Sequence, residues 1–219
     1  GILVAALKAP NERITMVHRM RETLQMGENQ VFLSSQGFAG RKVQEDGYRY
    51  LAGFSYEDLP VWTYQERGVT VKRTLCMVQE ANTAAVLYEI ENRSERDCTL
   101  QAEPFLKFAP KEEALKEKKE FTYQRGSITD GKYTLYLSTD GNLRKRTTVW
   151  QTLAYPEDAK DGRPDHGLTG CCCRISKTIP AGSTGKLSIV FSMEPNPVSA
   201  EKLLAQALAY QKKLDAGCP

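Results

Sequence analysis

Missing from this sequence are long apolar runs, histidine-rich clusters and phosphate-cradling loops, and each gap removes a class of function. No stretch approaches the roughly 20 apolar residues that a membrane-spanning helix needs, so no membrane association is expected. Only His18 and His166 are present, neither beside a nucleophile motif such as G-x-S-x-G, which leaves no recognisable Ser-His-acid machinery. Neither G-x-x-x-x-G-K-S/T nor G-x-G-x-x-G occurs, so no nucleotide cofactor is expected. An excess of one charge is lacking too: the net charge is +3, with basic and acidic residues interleaved. A nucleic-acid partner, which demands a clustered basic face, is therefore not expected.

Cysteine is present but not in metal-binding patterns. Cys76, Cys98, Cys171, Cys172, Cys173 and Cys218 form no C-x-x-C pair, and the histidines lie far from any ligand spacing, so no metal is expected. Three consecutive cysteines on a strand point alternately to opposite faces and cannot all grip one ion. They read as reduced, half-buried, small apolar residues, which favours the cytoplasm. The opening run, residues 1–7, is apolar but lacks the basic start and cleavage site of a secretory signal. With no initiator Met before it, the chain reads as a piece of a longer protein.

What is present is period-two alternation. Val69, Val71, Leu75 and Met77 share one face of a strand, and Thr70, Lys72 and Thr74 the other. The same pattern recurs at Ala84, Val86, Tyr88 and Ile90, at Cys98, Leu100 and Ala102, at Tyr133, Leu135 and Leu137, and at Leu187, Ile189, Phe191 and Met193. Turn signals such as Arg67-Gly68, Asp130-Gly131 and Asp140-Gly141 separate these runs. Many short strands with one apolar face predict an all-β domain over residues 1–195, a large two-sheet antiparallel sandwich. Residues 196–219 read differently. Leu203, Leu204, Ala207, Leu208, Gln211 and Leu214 recur at helical spacing after a Ser199 cap, with Gly217 and Pro219 closing the segment. This predicts an amphipathic helix, the start of a linker toward a following domain. The charge-dense residues 111–120 predict a short solvated helix or a loop.

Candidate chemistry is thin. Glycoside hydrolysis needs two carboxylates facing each other, and no spacing singles out a pair among the 27 acidic residues. A binding or structural role follows. Residues 47–64 concentrate Tyr48, Tyr50, Phe54, Tyr56, Trp62 and Tyr64, which suit either sugar stacking or core filling. Alternation favours the latter, with Tyr48, Tyr50, Phe54 and Trp62 inside and Pro60 opening a strand. Residues 155–170 read as a long polar loop between strands, and such loops carry function or are disordered. Its candidates for substrate binding are Tyr155, Asp158, Asp161, Arg163 and His166, with Asp165 beside them. They would hydrogen-bond sugar hydroxyls or pin a neighbouring domain.

Several of these segments carry a family resemblance. Gly47-Tyr48-Arg49-Tyr50-Leu51, Phe54, Leu59-Pro60-Val61-Trp62-Thr63-Tyr64 and Gly68-Val69 resemble the N-terminal domain of bacterial and archaeal glycogen debranching enzymes. Residues 77–90 with Asn82-Thr83, the opening run 1–7 and Asp161-Gly162-Arg163 are similar to the same pattern, so the resemblance spans Gly1 to about Pro195. It implies a galactose-mutarotase-like supersandwich packed against a C-terminal (α/α)6 toroid, whose carboxylates cleave α-1,6 branch glucosyl bonds. Those catalytic residues have no counterparts here. The Cys171–Cys173 triplet departs from the polar residues the family leads one to expect. The resemblance thus implies a non-catalytic, substrate-positioning scaffold of an amylo-α-1,6-glucosidase, with glycogen or a branched α-glucan and the intramolecular toroid as partners, and no cofactor. A stand-alone carbohydrate-binding module and an aldose-epimerase-like enzyme are the alternatives. The latter would need a histidine acid and a glutamate base in one pocket.

Overall fold

A computed structural model describes residues 1–8, 11–40, 44–195 and 197–217. In chain order the first strands are β1 (Leu3–Lys8), β2 (Glu12–Met26), β3 (Asn29–Phe32), β4 (Ser35–Gln36) and β5 (Glu45–Asp46), followed by a 3-10 turn at Gly47–Tyr50. Next come β6 (Leu51–Tyr56), β7 (Pro60–Glu66), β8 (Val69–Met77), β9 (Thr83–Asn92) and β10 (Cys98–Pro110). The remainder is β11 (Thr122–Gln124), β12 (Ser127–Thr129), β13 (Thr134–Thr139), β14 (Asn142–Ala154), helix α1 (Pro156–Lys160), β15 (His166–Ile179), β16 (Thr184–Ser192) and helix α2 (Ala200–Gly217).

Two large antiparallel sheets result, with β4 and β5 forming a separate two-stranded one. One runs β1-β2-β10-β15-β14 with β3 added to β2, and the other runs β11-β12-β13-β16-β9-β8-β7-β6. Their inner faces share one core. Leu24, Leu100, Ala102 and Ile175 come from the first sheet, and Val71, Val86, Tyr88, Leu135, Ile189 and Phe191 from the second. Alternation therefore does what period-two patterning dictates: it gives each sheet one apolar face, and the faces close on each other. The β7–β8 hairpin turns through Arg67 (φ 44°) and Gly68 (φ 80°), two successive left-handed residues that match the twist of the strands. Inside the sandwich, Glu22 of β2 accepts hydrogen bonds from Arg73 of β8 and Tyr88 of β9, each at 3.0 Å, tying the sheets together through a buried carboxylate.

Several expectations are corrected. Tyr48 and Phe54 are 64% and 57% exposed rather than core residues: Tyr48 lies in the 3-10 turn, and Phe54 is on β6, the last strand of its sheet, all six of whose residues face solvent. Tyr50 and Trp62 are partly buried against the core. Met77, at the end of β8, is exposed rather than on the apolar face. The cysteine triplet is fully buried, not half-buried. It lies where the β15 registers against both β10 and β14 break, and there alternation fails: adjacent Cys172 and Cys173 both join the main core. All five described cysteines are free thiols. Cys218 and Pro219 lie outside the described residues.

The segment 155–170 is not one long loop: it holds the short helix α1 and joins β15 at residue 166. His166 already belongs to β15 and pairs with Ala154. Residues 111–120 form no helix; they are a fastened loop, with Leu115 accepting a 2.9 Å bond from the Leu168 amide and Lys119 reaching Asp130 at 2.7 Å. Helix α2 lies on the outer face of the eight-stranded sheet, where Ala200, Leu203 and Ala207 cover Cys76, Ala85 and Val190. Ser199 starts it, its Oγ accepting from the Lys202 amide at 3.4 Å. Among the described residues, no helix is long and apolar enough to cross a membrane.

Candidate functional site

At one end of the six-stranded sheet, the β14–β15 connection folds against β2 and encloses a cavity of about 220 Å³. Three backbone features build it. The Tyr155 amide donates to the Asp165 carbonyl at 2.7 Å, which closes the connection on itself. Pro156 occupies the first turn of α1, where its missing N–H costs nothing, and Gly162 (φ 71°) turns the chain back. On the opposite wall β10 bulges: Leu106 pairs with Val17 but Ala109 with Thr15, so Lys107 and Phe108 together face only Met16. Phe108 takes φ 47° to do so, unusual for a non-glycine residue, and the bulge turns Lys107 toward the cavity.

The side chains that meet there are polar and mutually fixed. The Tyr155 hydroxyl is hydrogen-bonded to Nε2 of His18 at 3.2 Å, the rings tilted by 57°. Burial, with the charge of Asp158 adding to it, pushes the Tyr155 phenol up to about 12. Burial also pushes His18 down to about 4, reinforced by the positive charges of Lys107 and Arg19. At neutral pH the pair is therefore a protonated phenol against an uncharged imidazole. Lys107 donates to the carbonyls of Pro110 and Lys111, both at 3.1 Å, and burial lowers its pKa against the pull of Glu113 and Glu112. Arg163 holds Asp158 at 2.9 Å and Asp161 at 2.8 Å. Such a set donates and accepts hydrogen bonds in fixed directions, as recognition of sugar hydroxyls requires.

Of the sequence-derived candidates, Tyr155, Asp158 and Arg163 line this cavity together. Asp161 does not line it and acts on it through Arg163. His166 sits around the corner, in a neighbouring hollow of about 360 Å³, with Nδ1 2.5 Å from Asp165. Sequence reasoning passed over His18 and Lys107. His18 is strand-borne and faces the cavity; its placement in an otherwise apolar strand segment is the signal that could have found it. His18 also borders a second hollow of about 460 Å³ at the mouth of the sandwich, lined by Tyr48, Trp62, Tyr64 and Arg73. There Arg73 lies over Trp62 at 4.3 Å. Among the described residues, no group of His, Cys, Asp and Glu is placed to hold a metal ion.

Comparison with curated proteins returns no match. Among solved structures, the fold is similar to that of a protein from the human microbiome described as a kojibiose phosphorylase (10% identity, TM-score 0.41, 94% of this chain and 26% of that one). It is also similar to a bacterial glucoamylase complexed with acarbose (8% identity, TM-score 0.47, 94% of this chain and 33% of that one). The chain thus spans a third or less of either structure. The family model for the glycogen debranching enzyme N terminal matches residues 1–185, and the chain belongs to that family.

Proposed function

We propose that this domain is the substrate-positioning scaffold of an amylo-α-1,6-glucosidase, a cytoplasmic glycogen debranching enzyme. Its sandwich braces an (α/α)6 catalytic domain, and the 155–165 connection lends a wall to the cleft that takes glycogen or a branched α-glucan. The observation that carries this reading is the cavity where Tyr155, Asp158 and Arg163 meet His18: hydrogen-bonding groups from the connection and from β2 fixed on one another. On this reading the catalytic domain supplies the acid and base of hydrolysis, while the cavity contributes orientation. The reading requires a coding sequence that continues past Pro219 into several hundred residues of helical hairpins, with the linker toward them beginning near residue 196. In the intact enzyme, Arg163→Ala is expected to raise KM for a branched glucan or to lower kcat, with Asp161→Ala acting the same way but more weakly. Unchanged kinetics in a folded variant would remove this connection from the mechanism.

One observation favours a second reading, a glycan-binding module. Phe54 and Tyr56 stand exposed two residues apart on β6, available to stack on sugar rings. Retention of the chain on glycogen, lost on Phe54→Ala and Tyr56→Ala, would support it. A scaffold alone binds weakly or not at all.

A further inference from the structure

Arginines line up on the outer face of the six-stranded sheet. Arg21 of β2 pairs in register with Glu103 of β10, and Arg144 of β14 pairs with Arg174 of β15. Glu103 lies beneath them, 3% exposed, and accepts from Arg21 Nε at 2.6 Å, from Arg174 Nε at 3.1 Å and from Arg146. Three guanidiniums thus share one carboxylate, with Arg144 beside them opposite Arg174, so positive charge is in surplus along this row. Arg144 is exposed and has no ion pair among the described residues. Like charges directly opposite across two strands are unfavourable unless an anion lies between them. Arg146 and Arg174 each engage Glu103 through a single nitrogen, leaving the rest of each fork open.

This row ends at an open edge. β14 is the last strand of its sheet. Only its far end is covered, where Ala39 donates to Thr152 and Ala154 donates to Gly37. Along 142–150 the outer backbone groups have no strand beside them among the described residues. A second copy of this chain would bring Arg144, Lys145 and Arg146 against themselves, so charge excludes self-pairing there. An unpaired edge favours a peptide over nucleic acid, because only a peptide completes the ladder.

We propose that the free edge of β14 docks an extended acidic polypeptide segment, whose backbone adds a strand along 142–150 and whose carboxylates meet Arg144, Arg146 and Arg174. The test titrates the full chain with a short fluorescein-labelled peptide alternating Glu and Val, and with its Gln-for-Glu counterpart. The Glu peptide binds, the Gln peptide binds at least about tenfold more weakly, and Arg144→Gln weakens the Glu peptide by a similar factor. Lys145→Gln, one residue along and on the opposite face, leaves binding within about twofold. Binding also slows amide exchange within 142–150. Equal binding of both peptides, insensitivity to Arg144→Gln, or unchanged exchange along the edge would each overturn the proposal. So would duplex DNA or inorganic phosphate displacing the peptide at concentrations where chloride of equal ionic strength does not. Arg174→Gln, with Arg21 and Arg146 still holding Glu103, gives a second variant should Arg144→Gln misfold.

Discussion

The hydroxyl of Tyr155 reaches Nε2 of His18 across 137 positions of sequence, and this one 3.2 Å bond fixes the β14–β15 connection to the second strand. Its protonation state sets a pH dependence. The folded-state pKa of His18 is about 4, below the ordinary value of 6.5. The unfolded chain therefore binds the proton first as pH falls, and stability is lost between about 6.5 and 4. At roughly 1.4 kcal/mol per unit, the loss reaches at most about 3 kcal/mol. Urea unfolding at pH 7 and pH 4.5 should show this decline in the parent chain and a shallower one in His18→Gln. Equal slopes would mean that the imidazole is not held neutral.

Glu22 gives a second expectation. It is 1% exposed between the sheets, bonded to Arg73 and Tyr88, with Oε2 unpartnered. Neutralising it in Glu22→Gln strands the Arg73 guanidinium beside the core and should cost about 3–5 kcal/mol. Replacing both, as Glu22→Met with Arg73→Met, removes the uncompensated charge and should recover most of the loss. A double variant as unstable as the single one would show that packing, not charge, governs the site.

Much of this architecture was legible in the sequence, and the parts that were not share a cause. Period two at Val86, Tyr88 and Ile90, or at Leu187, Ile189 and Phe191, announces an inner face whichever strands are neighbours. Strand order is carried by long-range pairing and leaves no local mark. For that reason Phe54 reads as a core aromatic in the sequence although β6 is an edge strand. The same holds for the site. Tyr155, Asp158 and Arg163 announced themselves by turn chemistry and polarity, whereas His18 and Lys107 became neighbours only through the β10 bulge. The interleaved charges of the sequence likewise hid the arginine row, since antiparallel pairing brings together Arg21, Arg144 and Arg174 from three separate strands.

Gly47 and Gly53 lie six positions apart in the aromatic segment and should respond oppositely to alanine. A Cβ on Gly47 would sit 2.1 Å from the Leu33 carbonyl oxygen, a backbone atom that cannot swing aside. Gly47→Ala should therefore destabilise the chain by about 3 kcal/mol or more. A Cβ on Gly53 meets nothing within 4 Å, and Gly53→Ala should fall within about 0.5 kcal/mol of the parent. Thermal melts of the two variants separate a close backbone approach from mere chain flexibility.

Thiol reactivity tests how α2 is seated. Burial pushes Cys171 up to about 12 and Cys98 up to about 11, the latter helped by Asp97, and burial raises Cys76 as well. Thiolates are the reactive species, so these positions should resist a disulfide reagent at pH 8 in the folded chain carrying Cys218→Ser. Cys76 differs from the others in what covers it. It faces outward from β8 beneath Ala200, Leu203 and Ala207, not into the inter-sheet core. Leu203→Ala leaves a cavity over Cys76 and should cost about 2–3 kcal/mol. Ending the chain at Pro197 should make Cys76 react while Cys98 and Cys171 stay protected, as read by mass spectrometry of labelled peptides. If Cys76 stays silent after truncation, β8 is shielded by something other than the helix. If it reacts in the uncut chain, α2 leaves the sheet often enough to serve as a tether toward another domain.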